Sequence, residues 1–297
     1  MSQRRFLDYL TWLYNPLTSW EVTRVYDLLS TDVATTHGLY LNLGYWSDAG
    51  QTLDEACEAL TDLVAERAGV NPGDQVVDVG FGFADQDLRW AKTRQPARIR
   101  GLNITASQVA IARERVANAG LADRIELVVG SATAMPFATA SADQVLAQEC
   151  AFHFKTRADF FAEAFRVLRP GGRLVTADII PMPPATSRWR RLKQRWSWGL
   201  VASKFAIPKD NVYGVDGYVE RLEAAGFASV EVQSIRDRVY APLHEALRRH
   251  PQILQRLHPA TRLPARIALA MSAESVYGGL DYILATAVKP TDSPASA

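Results

Sequence analysis

Val76-Val77-Asp78-Val79-Gly80-Phe81-Gly82-Phe83-Ala84-Asp85-Gln86 is the stretch that decides the fold. A short β-branched run ends in a small-residue loop, and a helix starts within that loop. Gly80 and Gly82 have no Cβ, so a ligand can approach the backbone closely. In an open α/β sheet such a turn faces the crevice above the strand ends, where ligands bind. A dinucleotide fingerprint would need a glycine at position 85, and this chain has Asp85. A carboxylate there would repel a pyrophosphate arriving at the helix N-terminus. The chain has no GK[ST] either, so the phosphate cradle of nucleotide hydrolases is missing. With Asp78, the loop is acidic and is expected to suit a cationic ligand.

Outward from this loop, short strand-like runs recur at 97–102, 125–129, 144–147 and 173–177. Helical patterns separate them, notably Ala106–Ala119 and Ala158–Leu168. Strands alternating with helices predict an α/β fold. We expect a Rossmann-like, seven-stranded, mostly parallel sheet, completed by late strands at 230–235 and 282–288, one of them antiparallel. Residues 1–70 read as a helical N-terminal lid, 71–180 as the core and 181–215 as a cap insertion. Residues 216–289 complete the sheet, with a helical cap segment at 241–278, and 290–297 form a small polar tail expected to be disordered. Arg4–Leu13 reads as a docked amphipathic helix and not as a signal peptide, because Asp8 interrupts its apolar run.

Composition excludes several classes. Hydrophobic residues are 48% and charged residues 22%, as in ordinary globular chains. Lys+Arg is 33 against Asp+Glu 32, a net charge of +1 that argues against a nucleic-acid partner. Cys57 and Cys150 are too few for a disulfide framework or a zinc cluster, so no metal is expected, and they fit a reducing compartment. The cytoplasm is the expected location.

Asp78-Val79-Gly80-Phe81-Gly82 resembles motif I of class I S-adenosylmethionine-dependent methyltransferases. Gly130–Phe137 resembles the family segment after strand three, and Arg166–Leu174 the turn leading into strand five. The resemblance spans about residues 40–180. It is nearest to bacterial small-molecule enzymes: macrolide and antibiotic-sugar O-methyltransferases, tocopherol and ubiquinone methyltransferases, and cyclopropane synthases. It implies S-adenosyl-L-methionine as methyl donor and S-adenosyl-L-homocysteine as product. The donor's ammonium and sulfonium suit an acidic loop.

The resemblance also assigns residues. Asp78, Gly80 and Gly82 would surround the methionine part of the cofactor. Asn103 and Gln108 would reach the ribose, although Thr105-x-x-Gln108 is also a capping box and both readings stand. Ile104 would cover one adenine face or pack in the core. Ser131 and the Ala132 N–H would meet the adenine edge. In the segment His37–Trp46, Asn42 would bind the methionine carboxylate, and Tyr26 would face the methyl group. Glu149 would orient the ligand or its own loop. His153 and Asp178 form a candidate base and orienter, because histidine titrates near neutrality.

The implied function is methylation of a small, bulky or apolar metabolite, with oxygen the favoured acceptor. C-methylation of a prenyl or lipid acceptor is the alternative. A cofactor-binding regulator without turnover and a nicotinamide oxidoreductase stand further off. Arg188–Trp196 has five basic residues, with Trp189, Leu192 and Trp196 at helical spacing. It reads as a solvated cap face, a site for an anionic acceptor, or a contact with an anionic membrane surface. Either a monomer or a homodimer is compatible with the sequence.

Overall fold

The computed structural model describes residues 3–15, 20–29 and 33–291. Its seven strands are β1 (Gln75–Val79), β2 (Arg98–Asn103), β3 (Ile125–Val129), β4 (Ala142–Gln148), β5 (Leu168–Pro181), β6 (Ala228–Ser234) and β7 (Leu280–Val288). They form one sheet in the order β3-β2-β1-β4-β5-β7-β6. β7 alone runs against its neighbours, pairing antiparallel with both β5 and β6. The expected single antiparallel late strand is therefore present. The expected tail at 290–297 lies outside the described residues from position 292 onward.

Alternation along each strand builds two cores. Val76, Leu146 and Val175 face one side, with Leu60 and Val64 of α3 (Leu53–Ala68), Trp90 of α4 (Asp85–Thr93) and Val109 and Ala112 of α5 (Ala106–Asn118). Val77, Val145 and Leu174 face the other, with Phe160 and Phe161 of α6 (Arg157–Val167) and Tyr218 and Leu222 of α8 (Val215–Ala224). The ends of α3 follow from local chemistry. Thr52 and Glu55 form a reciprocal capping box, and Gly69 closes the helix in the left-handed region.

Helices α1 (Gln3–Tyr14) and α2 (Val22–Leu29) pack with α10 (Pro259–Ala270) through Tyr9, Trp12, Val25 and Ala260. The remaining helices are α7 (Arg188–Lys204), α9 (Tyr240–Arg249) and α11 (Ala273–Tyr277). The N-terminal segment is less helical than its sequence suggests. Residues 33–52 run as a strap without a helix, because side chains from elsewhere take its N–H groups. Asp54 accepts from Thr36 and His37 at 2.7 Å each, Asp85 from Leu39 at 3.1 Å and Glu149 from Leu43 at 2.7 Å. Such tethers replace the i to i−4 ladder that a helix would need.

Candidate active site

The strap, α2 and the carboxyl ends of β1, β2, β4 and β5 enclose a cavity of about 400 Å³. Gly80 and Gly82 form its floor with φ of 77° and 55°, the left-handed region that favours glycine. A Cβ on Gly80 would lie 2.6 Å from Cβ of Cys150, so this position admits no side chain. Ala84 also takes a left-handed φ of 65°, at the start of α4.

Asn103 and Gln108 meet on the cavity wall. Gln108 Oε1 accepts from Asn103 Nδ2 at 3.0 Å, and Asn103 Oδ1 accepts from the Thr105 N–H at 3.0 Å. Thr105 makes no side-chain cap, so the capping-box reading fails. Gln108 Nε2 is left buried on the cavity wall with no partner among the described residues. An orphaned donor of this kind fits a ligand hydroxyl. Ile104 is 51% exposed on the same wall, so it is not a core residue. Ser131 and Ala132 line the cavity beside it, with Ser131 Oγ 2.9 Å from Thr133 Oγ1.

Two expected acids are elsewhere. Asp78 is fully buried and does not line the cavity. Burial and the neighbouring Asp87 carboxyl raise its pKa well above the usual carboxylate range. Asp87 is itself pushed up to about 7 by burial. Nor is Asp85 free: Arg115 meets both its oxygens at 2.6 Å. The acid-lined loop is thus corrected, because these carboxylates are turned into the protein. Of the residues after the strap, Glu149 brings a carboxylate to the cavity wall, and Glu21 brings another at its α2 side. Glu149 accepts from Leu43 N–H and, at 2.6 Å, from Tyr282 Oη, and burial raises its pKa to about 7. Glu149 orients the strap. Asn42, also on the wall, accepts from the Gly44 N–H at 2.9 Å.

The two candidate catalytic rings do meet. Tyr26 Oη and His153 Nε2 are 2.8 Å apart, with the rings nearly perpendicular. Burial pushes the His153 pKa down to about 3 and raises that of Tyr26. His153 is therefore a neutral imidazole near pH 7. Asp178 does not orient it, which corrects that expectation. Its Oδ2 is 2.8 Å from Arg157 Nε in an ion pair with neither side chain exposed. Its Oδ1 accepts from the Phe152 N–H at 3.1 Å. Asp178 thus fixes the turn that carries His153, not the imidazole itself.

Arg157 escaped the sequence reading. Its guanidinium also donates to the carbonyls of Asn211 and Ile179, at 2.5 and 2.7 Å. The available signal was an arginine in the first turn of a helix, where the dipole disfavours cations. Beyond His153, the cavity is walled by Phe152, Ile179, Val201, Phe205, Tyr240, Tyr277 and Leu280. Tyr218 lies in the core, where it bonds to Thr176 and Asp178.

A Rossmann-like sheet with β7 inserted antiparallel between β5 and β6, a glycine loop, a buried amide pair and a covered crevice define the class I S-adenosylmethionine-dependent methyltransferase fold. Residues 77–176 match the methyltransferase domain family. Erythromycin 3''-O-methyltransferase of Saccharopolyspora erythraea is 39% identical over 274 residues, 89% of each chain. The 27-O-demethylrifamycin SV methyltransferase of Amycolatopsis mediterranei is 30% identical over 91% of this chain and 97% of that one. Among solved structures, the [4+2]-cyclase SpnF aligns with a TM-score of 0.72 and 27% identity, covering 93% of this chain and 97% of that one. The geranyl diphosphate C-methyltransferase of Streptomyces coelicolor, in complex with S-adenosyl-L-homocysteine, aligns at 0.67 and 16% identity, over 90% and 97%, and supports the fold alone. This chain belongs to the S-adenosylmethionine-dependent methyltransferases, in their small-molecule branch.

Proposed function

We propose that the enzyme methylates a hydroxyl group of a bulky, largely apolar natural product, of the kind its antibiotic-pathway relatives are named for. The observation that carries this reading is the buried imidazole of His153, bonded to Tyr26 Oη, between the glycine loop and an apolar wall of aromatic and aliphatic side chains. S-adenosylmethionine supplies an electrophilic methyl group when bound. The amide pair Asn103 and Gln108 holds the ribose, Ile104 covers the adenine, Ser131 and the Ala132 N–H meet its edge, and Asn42 holds the methionine end.

The chain's remaining work is positioning, exclusion of water and removal of one proton. Holding two reacting atoms in line can lower a barrier by about 7–11 kcal/mol. Nε2 of His153 would take the hydroxyl proton as the acceptor oxygen bonds to the methyl carbon and that carbon's bond to sulfur breaks, leaving S-adenosylhomocysteine. Tyr26, bonded to that same nitrogen, holds it in place until the acceptor arrives. The Arg157–Asp178 pair keeps the turn rigid. A series of hydroxylated macrocycles and their deoxy analogues tests the reading. Turnover should require the hydroxyl, and equal turnover of a deoxy analogue would overturn it.

C-methylation of a prenyl or lipid acceptor draws on fold similarity alone and has less support. No described helix is long and apolar enough to cross a membrane. Two free cysteines and a balanced charge support a cytoplasmic enzyme with a small-molecule partner and no nucleic acid.

A further inference from the structure

The outer face of α7 carries Trp189, Leu192, Trp196 and Leu200, at 77%, 46%, 78% and 62% exposure. At roughly 3.6 residues per turn, these four fall on one stripe. Arg188 and Arg195 border the stripe on one side, Lys193 and Arg190 on the other. All four, with Arg191, are exposed, and none forms an ion pair among the described residues. The helix contains no acidic residue.

The opposite face of α7 is firmly held. Ser197 Oγ donates to the Val276 carbonyl at 2.6 Å, and Trp198 and Val201 pack on the core. At its end, Trp12 Nε1 donates to the Lys204 carbonyl at 2.9 Å while Lys204 Nζ donates to the Trp12 carbonyl at 2.7 Å. The stripe is therefore a fixed surface. Two indoles in water, rimmed by cations, call for a partner that is apolar at its centre and anionic at its edge.

A second copy of the chain fits poorly, since pairing the stripe with itself would face five unpaired cations with five more. An anionic bilayer surface fits both parts. Indoles settle at headgroup depth, and lysine and arginine meet the lipid phosphates. We propose that α7 is a reversible membrane-surface anchor that docks the enzyme on anionic lipid. Val201 on its inner face and Phe205 just beyond its end wall the acceptor side of the cavity, so the docked helix stands between the bilayer and the acceptor. The docking itself is independent of the acceptor's identity.

Co-sedimentation of the full chain with vesicles tests this. Binding is expected to phosphatidylcholine vesicles containing phosphatidylglycerol, not to phosphatidylcholine alone, and to weaken with salt. Each cation removed, as in Arg188→Gln or Arg195→Gln, should lower the partition about fivefold. Trp189→Ala with Trp196→Ala should lower it about tenfold or more, with unchanged circular dichroism and unchanged turnover of a water-soluble acceptor. Failure to bind either vesicle, or equal binding by the double tryptophan variant, would overturn the proposal. So would a concentration-dependent dimer in light scattering that this variant abolishes, which would give the stripe to a second copy.

Discussion

Tyr26 Oη on α2 and Nε2 of His153 on the turn after β4 are 2.8 Å apart, across 127 residues of sequence. The contact ties the N-terminal lid to the one histidine on the cavity wall.

His153→Ala should lower kcat by about 10²–10⁴-fold and leave the affinity for S-adenosylmethionine within about twofold. Because burial holds the His153 pKa down at about 3, the base is already unprotonated well below neutrality. The kcat/KM profile should therefore show no loss of a base near pH 6.5, the ordinary histidine value. A limb centred near 6.5 that the variant abolishes would contradict the geometry.

Gln108→Leu removes the orphaned amide donor from the cavity wall, where we propose the ribose binds. One lost hydrogen bond is worth about 1–1.5 kcal/mol, so calorimetry with S-adenosylhomocysteine should show binding about five- to tenfold weaker. At saturating cofactor, kcat should hold. Unchanged binding would move the ribose off Asn103 and Gln108.

Arg157→Met leaves the Asp178 carboxylate buried without its partner. Breaking such a pair costs about 3–5 kcal/mol, which urea unfolding would show. Replacing both, as Arg157→Met with Asp178→Leu, should recover much of that stability. The recovered protein should still turn over slowly, because the Phe152 N–H has lost its acceptor and the His153 turn is loosened.

Much of this was legible in the sequence because it is local. The strands, the glycine loop and the amide pair each sit within a few residues of their signal. The strap over residues 33–52 was not, since its acceptors Asp54, Asp85 and Glu149 come from later elements. Asp78 was misjudged for a related reason. Which face of β1 receives it depends on where α4 packs, and Asp87 of that helix meets it inside the protein. The partner of Asp178 lies 21 residues earlier, on a helix whose packing no local pattern shows.

Glu149 links stability to pH. Its pKa is raised from an ordinary 4.5 to about 7 by burial, so the folded chain holds this proton more tightly than the unfolded chain. The resulting stability is full below about 4.5 and is lost as pH rises through about 7. Relative to Glu149→Gln, the wild type should therefore be more favoured at about pH 5 than at about pH 8 in paired denaturant titrations. His153 acts in the opposite sense, losing stability as pH falls from 6.5 toward about 3, and cancels in this comparison because both proteins carry it. A difference that does not change with pH would place the Glu149 carboxyl outside a low-dielectric site.

Transfer to oxygen is the central claim, and the site of the new methyl group tests it most directly. The enzyme would be incubated with S-adenosylmethionine carrying a carbon-13 methyl and with a hydroxylated macrocyclic acceptor. The product would then be examined by carbon-13 NMR. The account predicts one labelled methoxy signal, lost with His153→Ala. A labelled methyl on carbon, or an acceptor rearranged without any label, would contradict it.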